Sequence, residues 1–238
     1  MHSTVDSPAW ILTRFAGALK TMAEHDDRRQ QMVDQDQYHV GRLLALSDGV
    51  FAIAMTLLVL GIPVPQLANP SDADLQAALR TALPAVGSFA LSFVLVGVYW
   101  IGHRRLLNGV VRTDARLTWL NLLLLLLVCI VPFTAALLSR YDNLATAVIL
   151  YATNLALLGL LSLALRLQSW LLVSEPPSRR ERERTIITSL VGIAVFAMSI
   201  PIALRSPDLA KYSWLLLLPV GAVFGRRLRN LGRSDPRR

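Results

Sequence analysis

The sequence predicts an all-α integral membrane protein with six transmembrane helices per chain. Three observations predict it. First, 54% of the 238 residues are hydrophobic and only 17% are charged, whereas soluble domains run at about a quarter charged. Second, apolar blocks recur that are long enough to cross about 30 Å of hydrocarbon, which takes roughly 20 helical residues. Third, the basic residues alternate with those blocks. Spans near 43–63, 84–106, 117–138, 144–165, 185–204 and 209–225 divide the chain so that all but Arg80, Arg140, Arg205 and Lys211 of its 24 Lys and Arg fall on one side. Lys and Arg collect on the cytoplasmic side of membrane proteins. An even number of spans with both termini in the cytoplasm follows, and a missed or invented span would break the alternation.

The same numbers exclude other classes. The net charge of +8 would suit nucleic acid, but the basic residues flank apolar blocks, where they orient a membrane protein instead. Cys129 is alone, so no intrachain disulfide forms. Residues 1–40 are polar and mixed, without the early apolar core of a cleavable signal. No metal-spaced cluster and no nucleophile elbow occurs, so neither an enzyme nor a bound cofactor or metal is expected.

Along the chain, the third span, WLNLLLLLLVCIVPF, is the least ambiguous. The fifth and sixth are short or interrupted by Pro201 and Pro219, which membrane helices tolerate better than soluble ones. The connection 64–83 is polar and carries SDADLQAALR, predicted to be a short helix capped by Ser71 with Asp72 and Asp74 in its first turn. The stretch SRRERERT, 178–185, reads as a solvated helix start with alternating charge. Residues 1–40 form a cytoplasmic N-terminal segment. In it, Trp10, Ile11, Phe15, Leu19 and Met22 share one face, as an interfacial helix would, though a loose tail fits equally. Residues 25–37 read as a solvated linker. The membrane domain covers 41–228 and a basic cytoplasmic tail 229–238.

The first span holds an oddity, RLLALSDGVFAIAMTLLVLGI. Asp48 sits in it as the one charge besides Arg42. Ser47-Asp48 has the composition of a helix N-cap. A helix opening at Gly49 and ending before Pro63 would cover only about 21 Å, too short for the bilayer core. Starting at Leu43 restores about 30 Å and places Asp48 inside the membrane, where a charge is costly unless partnered. The cap reading stays open, because a helix can begin in a protein-lined vestibule.

Helical projection separates two sides. With Ile53 at zero, Thr56, Leu57 and Leu60 fall at about −60°, +40° and −20°, while Asp48 falls at about −140° and Ser47 at about +120°. Asp48 must therefore find its partners on neighbouring helices. Trp100 and His103, near the end of the second span, and Asn121, early in the third, lie at its depth and can satisfy a carboxylate. From periodicity alone the Ile53 stripe is ordinary packing, since every membrane helix offers one.

Arg42-x-x-x-Leu46-Ser47-Asp48 resembles the first-helix signature Arg-x-x-x-Phe-Ser-Asp of the endolysosomal and bacterial potassium channels that lack the usual filter sequence. Trp100-x-x-His103 and a Leu-rich third helix with an early Asn are similar to the bacterial members. The resemblance covers about 42–228, and Leu46 departs from it by standing where the family has Phe. It implies a potassium-permeable cation channel of the plasma membrane, a homotetramer for a single-repeat chain, with the first helices lining the pore and potassium as the permeant ion. By the same resemblance Ile53 and Leu60 form the constriction, with Thr56 between them, and Leu57 joins that face by projection. Arg42, Ser47, Asp48, Trp100, His103 and Asn121 are implied to form a structural polar network. Lipid is the expected surrounding, and nucleic acid is not an expected partner. Two other classes remain open. A proton-coupled transporter would use Asp48 and His103 as a relay, but the inverted repeat such proteins carry is not visible. A non-conducting scaffold would use its arginine-rich segments on partners or anionic lipid.

Overall fold

The computed structural model describes residues 9–67 and 71–214. Helix α1 covers Ala9–Leu57 and tightens into a 3-10 turn at Leu58–Gly61. Then come α2 (Asp72–Asn108), α3 (Ala115–Arg140), α4 (Ala145–Ser169), α5 (Arg179–Ala203) and the short α6 (Pro207–Ser213). Five of them, α1 counted from Gln30 through its 3-10 turn, are long and apolar enough to cross a membrane. Five predicted spans therefore coincide with helices. The sixth, 209–225, opens on α6 and otherwise lies outside the described residues, as does the tail 229–238. The side chains of Trp10, Ile11, Phe15, Leu19 and Met22 lie outside them too.

Two expectations about element boundaries change. The stretch 25–37 is solvated but is no loose linker: α1 runs through it, because it is rich in Gln, a good helix former, and free of Gly and Pro. The helix predicted at SDADLQAALR is not a separate short element. Ser71 does cap it, accepting from Asp74 N at 3.2 Å, with Asp72 and Asp74 in the first turn. The helix then continues through Pro84 to Asn108.

Caps fix the other starts. Asp114 accepts from Leu117 N at 2.6 Å and opens α3. Ser178 and Glu181 close a reciprocal capping box on α5. Each satisfies backbone donors that a helix start otherwise leaves bare.

Helix α3 packs against α1, α2 and α4, and α4 packs also on α5 and α6. Leu117, Val128 and Val131 of α3 and Val148, Tyr151, Leu155 and Leu158 of α4 are fully buried between them. Gly159 allows α5 to come close: a Cβ there would stand 2.9 Å from Ile193 Cγ1. The two connections α2–α3 and α4–α5 meet at one end, where Val110 and Val173 form an antiparallel bridge and Gln168 Nε2 donates to Asp114 Oδ2 at 2.6 Å. The basic residues in and beside those two connections therefore lie at one end of the bundle.

Candidate pore-lining face and its polar anchor

At membrane depth α1 has two unlike sides. Ser47, Phe51, Ala54 and Leu58 recur every three or four residues and are buried, so they form the packing stripe. Ile53, Leu57 and Leu60 point elsewhere and are 60%, 44% and 75% exposed. Thr56 is exposed among them, and its hydroxyl donates to Ile53 O at 2.8 Å. That bond uses the hydroxyl proton and leaves the oxygen's lone pairs free to accept.

The 3-10 turn adjusts the projection. Side chains at i and i+3 eclipse in a 3-10 helix, so Leu60 stands above Leu57 instead of being offset by the α-helical step.

Helix α1 passes Asp48 without a break, which removes the cap reading. Asp48 is half-buried, and Trp100 Nε1 of α2 donates to its Oδ1 at 2.7 Å. Ser47 is buried. Its hydroxyl donates to Leu43 O at 2.8 Å and accepts from Asn121 Nδ2 of α3 at 3.1 Å. The other end of the same amide, Asn121 Oδ1, lies 2.6 Å from His103 Nε2. An amide oxygen only accepts, so Nε2 carries the proton. The His103 ring leans on Phe51, centroids 5.5 Å apart. Three helices are thus joined by two short chains of bonds, Asp48–Trp100 and Ser47–Asn121–His103.

Arg42 stands apart from this cluster, contrary to what the resemblance implies. It is exposed, and its guanidinium lies 5.9 Å from the centroid of the Tyr38 ring one turn back. On an unbroken helix, six residues separate Arg42 from Asp48 by about 9 Å of rise and about 120° of rotation, so the two face different neighbours. Asp48 and His103 do not bond to each other either; each is engaged by a different partner.

Sequence reasoning missed the role of Phe51, whose signal was its place one turn after Ser47 on the buried stripe. It also missed a deeper pair of contacts. Tyr151 and Ser92 hydroxyls lie 3.0 Å apart, and Asn154 Nδ2 donates to Leu127 O at 3.4 Å. A lone Asn within the fourth apolar run was the available signal.

Known proteins share this fold. The family model for the endosomal/lysosomal potassium channel TMEM175 matches residues 42–132, a stretch that contains the whole cluster and the exposed stripe. The crystal structure of a lysosomal potassium-selective channel TMEM175 homolog from Chamaesiphon minutus superposes with a TM-score of 0.69 at 30% identity, over 78% of this chain and 97% of that one.

This chain belongs to the TMEM175 family.

Among TMEM175 relatives, a protein of Streptomyces collinus named a potassium channel is 43% identical over 101 residues, 42% of this chain and 48% of the relative. One from Chamaesiphon minutus, also named a potassium channel, is 45% identical over 106 residues, 44% of this chain and 52% of the relative. The chain therefore matches about half the length of these curated relatives. Family membership makes the apolar helices membrane spans and the chain a multi-pass membrane protein.

Proposed function

We propose that this chain is one subunit of a homotetrameric, potassium-permeable channel in the plasma membrane, both termini cytoplasmic, whose pore is lined by α1. One observation carries the reading: the side of α1 that bears Ile53, Thr56, Leu57 and Leu60 is exposed at membrane depth, while the opposite side is locked by a polar cluster. The same exposed side carries Gly49, with open space where a side chain would be, and Ala52. A lipid-facing stripe gains nothing from Gly, Ala and Thr, whereas a narrow axis needs small residues between its bulky rings.

Such a pore works without a carbonyl filter. A ring of Ile and Leu gates by dewetting and offers an ion no ligand. Thr56 is the polar side chain of that stripe, so brief ion contact falls to its hydroxyl oxygen. Potassium sheds water more readily than sodium because its charge density is lower, which favours potassium modestly at an apolar ring. The cluster of Ser47, Asp48, Trp100, His103 and Asn121 holds the angle of α1 and stays out of the permeation path. Arg42 keeps a place only at the cytoplasmic approach. A proton-coupled relay through Asp48 and His103 is less well supported, since each of the two is bonded to a different helix.

The test is ion flux through the purified protein in liposomes under an imposed gradient. Potassium flux exceeding sodium flux, with no coupling gradient, is the expected result. Absence of flux for both ions from assembled protein would shift the reading to a scaffold and point to Leu46 as the cause.

A further inference from the structure

Away from α1, a groove of about 520 Å³ lies between α2, α4 and α5. Its long walls are apolar, with Leu91, Val94, Val98 and Ile193 among the lining side chains. One end is different. Arg166, three residues before the end of α4, lines it. A methyl on Gly102 would stand 3.7 Å from Arg166 Nη2, so the guanidinium lies along the bare backbone of α2. The ion pairs of the described residues are Arg179–Glu183, Lys211–Asp142 and Lys211–Asp208, and Arg166 has neither a carboxylate nor a hydrogen-bond acceptor among them.

A cation left half-buried beside apolar walls invites an anion. Thr185 and Ser189, four residues apart on α5, line the same end, and their hydroxyls make no hydrogen bond among the described residues. This is the end shared by the α2–α3 and α4–α5 connections, the cytoplasmic end by the distribution of basic residues. From Gly102 to Leu91 the wall of α2 runs about 16 Å, the length of an acyl chain. Leu91, Val94 and Val98 are exposed, so the wall is open for a chain to enter sideways. A free phosphate would use the polar end and leave the apolar walls bare.

We propose that this groove binds an anionic phospholipid of the cytoplasmic leaflet, with its phosphate on Arg166 and the Thr185 and Ser189 hydroxyls and one acyl chain along Val98, Val94 and Leu91. Basic pockets between membrane helices on that side are a known mode of headgroup recognition. The guanidinium fork suits phosphate oxygens better than an ammonium would. No α1 residue lines this groove, although His103 of the polar cluster does, and the groove's occupancy is read without measuring conduction.

The full-length chain, reconstituted in mixed phosphatidylglycerol and phosphatidylcholine and re-extracted in mild detergent, is read by native mass spectrometry for retained lipid. Wild type is expected to retain phosphatidylglycerol in excess of its share in the mixture. Arg166→Gln should lower that retention about fivefold, the weight of one basic residue near an anionic headgroup. Arg184→Gln, an exposed charge on α5, should leave it unchanged. Val94→Trp fills the chain wall while keeping Arg166 and should lower retention as well, so it decides the matter if Arg166→Gln does not fold. Equal retention by wild type and either groove variant overturns the proposal. So does loss of the phosphatidylglycerol excess on adding inorganic phosphate alone. High-yield cross-linking of Val94→Cys to cysteines placed through 215–225, or between two copies through position 94, assigns the groove to protein and overturns it too.

Discussion

Asp48 is tolerated because its neighbours answer it. Its Oδ1 accepts from the Trp100 indole at 2.7 Å in a half-buried site. Trp100→Phe removes that donor and keeps the ring's bulk. It should destabilise the protein by about 1–3 kcal/mol, seen as a lower midpoint in a thermal detergent-stability scan, with ion selectivity of the surviving protein unchanged. A change of selectivity without loss of stability would move Asp48 into the permeation path. Asn121 is the more exposed weakness, since one amide serves both Ser47 and His103. Asn121→Leu leaves the buried His103 Nε2–H without its acceptor and Ser47 with only its bond to Leu43 O, and should cost more than Trp100→Phe in the same scan. Ile53 tests the other side of the helix. Ile53→Asn places an amide in the apolar ring and should raise cation flux while narrowing the difference between potassium and sodium. Flux and selectivity both unaltered would remove Ile53 from the constriction. At this scale the sequence was informative where arithmetic applied. The length of the apolar run put Asp48 inside the helix, and its depth picked out Trp100 as its partner, whereas His103 and Asn121, expected to answer Asp48 too, link to Ser47 instead. Arg42 was illegible for a geometric reason: its motif position says nothing about which way an unbroken helix turns it, and that turn carries it to Tyr38.

Element boundaries were less legible than element existence. The caps at Ser71 and Ser178 follow from local chemistry, so they were readable. The continuity of α2 across Pro84 was not, because neighbouring helices compensate for a lost backbone bond in ways no local pattern records. Nor was the 3-10 turn at Leu58–Gly61, which depends on how the chain leaves the helix: Ile62 is already extended, with φ −82° and ψ 117°. That turn matters, because it sets Leu60 above Leu57 and so decides how tall the proposed apolar ring is. Helix packing offers a cleaner test than helix ends. Gly159 is the contact point of α4 with α5, and a Cβ there meets Ile193 at 2.9 Å. Gly159→Leu must push the helices apart and should destabilise by about 1–3 kcal/mol, whereas Gly159→Ala should cost less, as Ile193 can change rotamer. Equal midpoints for wild type and Gly159→Leu in the thermal scan would mean that α5 sits further from α4 than described.

At the scale of the whole molecule, the proposed pore requires more than one chain. One α1 presents a stripe, and only copies arranged about an axis turn a stripe into a ring. A soft metal can report that arrangement. Cd²⁺ resembles Zn²⁺ in its preference for thiolates, and tight binding needs more than one cysteine, so it requires copies to converge. The native Cys129 is exposed on α3 and is first replaced by Ser. In that background, Leu60→Cys should make potassium flux in liposomes sensitive to micromolar Cd²⁺, reversed by a thiol chelator. Val59→Cys is the matched control. Val59 is 49% exposed at the same depth but lies a third of a turn away in the 3-10 segment, so copies of it face apart. Block at position 60 and none at 59 fixes the axis on the Ile53 side of α1. Block at 59 and none at 60 rotates the helix by one residue and makes Val59 the ring. Intact, insensitive flux with cysteine at 53, 57 or 60 would take α1 out of the pore wall altogether, and with it the assignment of Thr56 as the ion's contact.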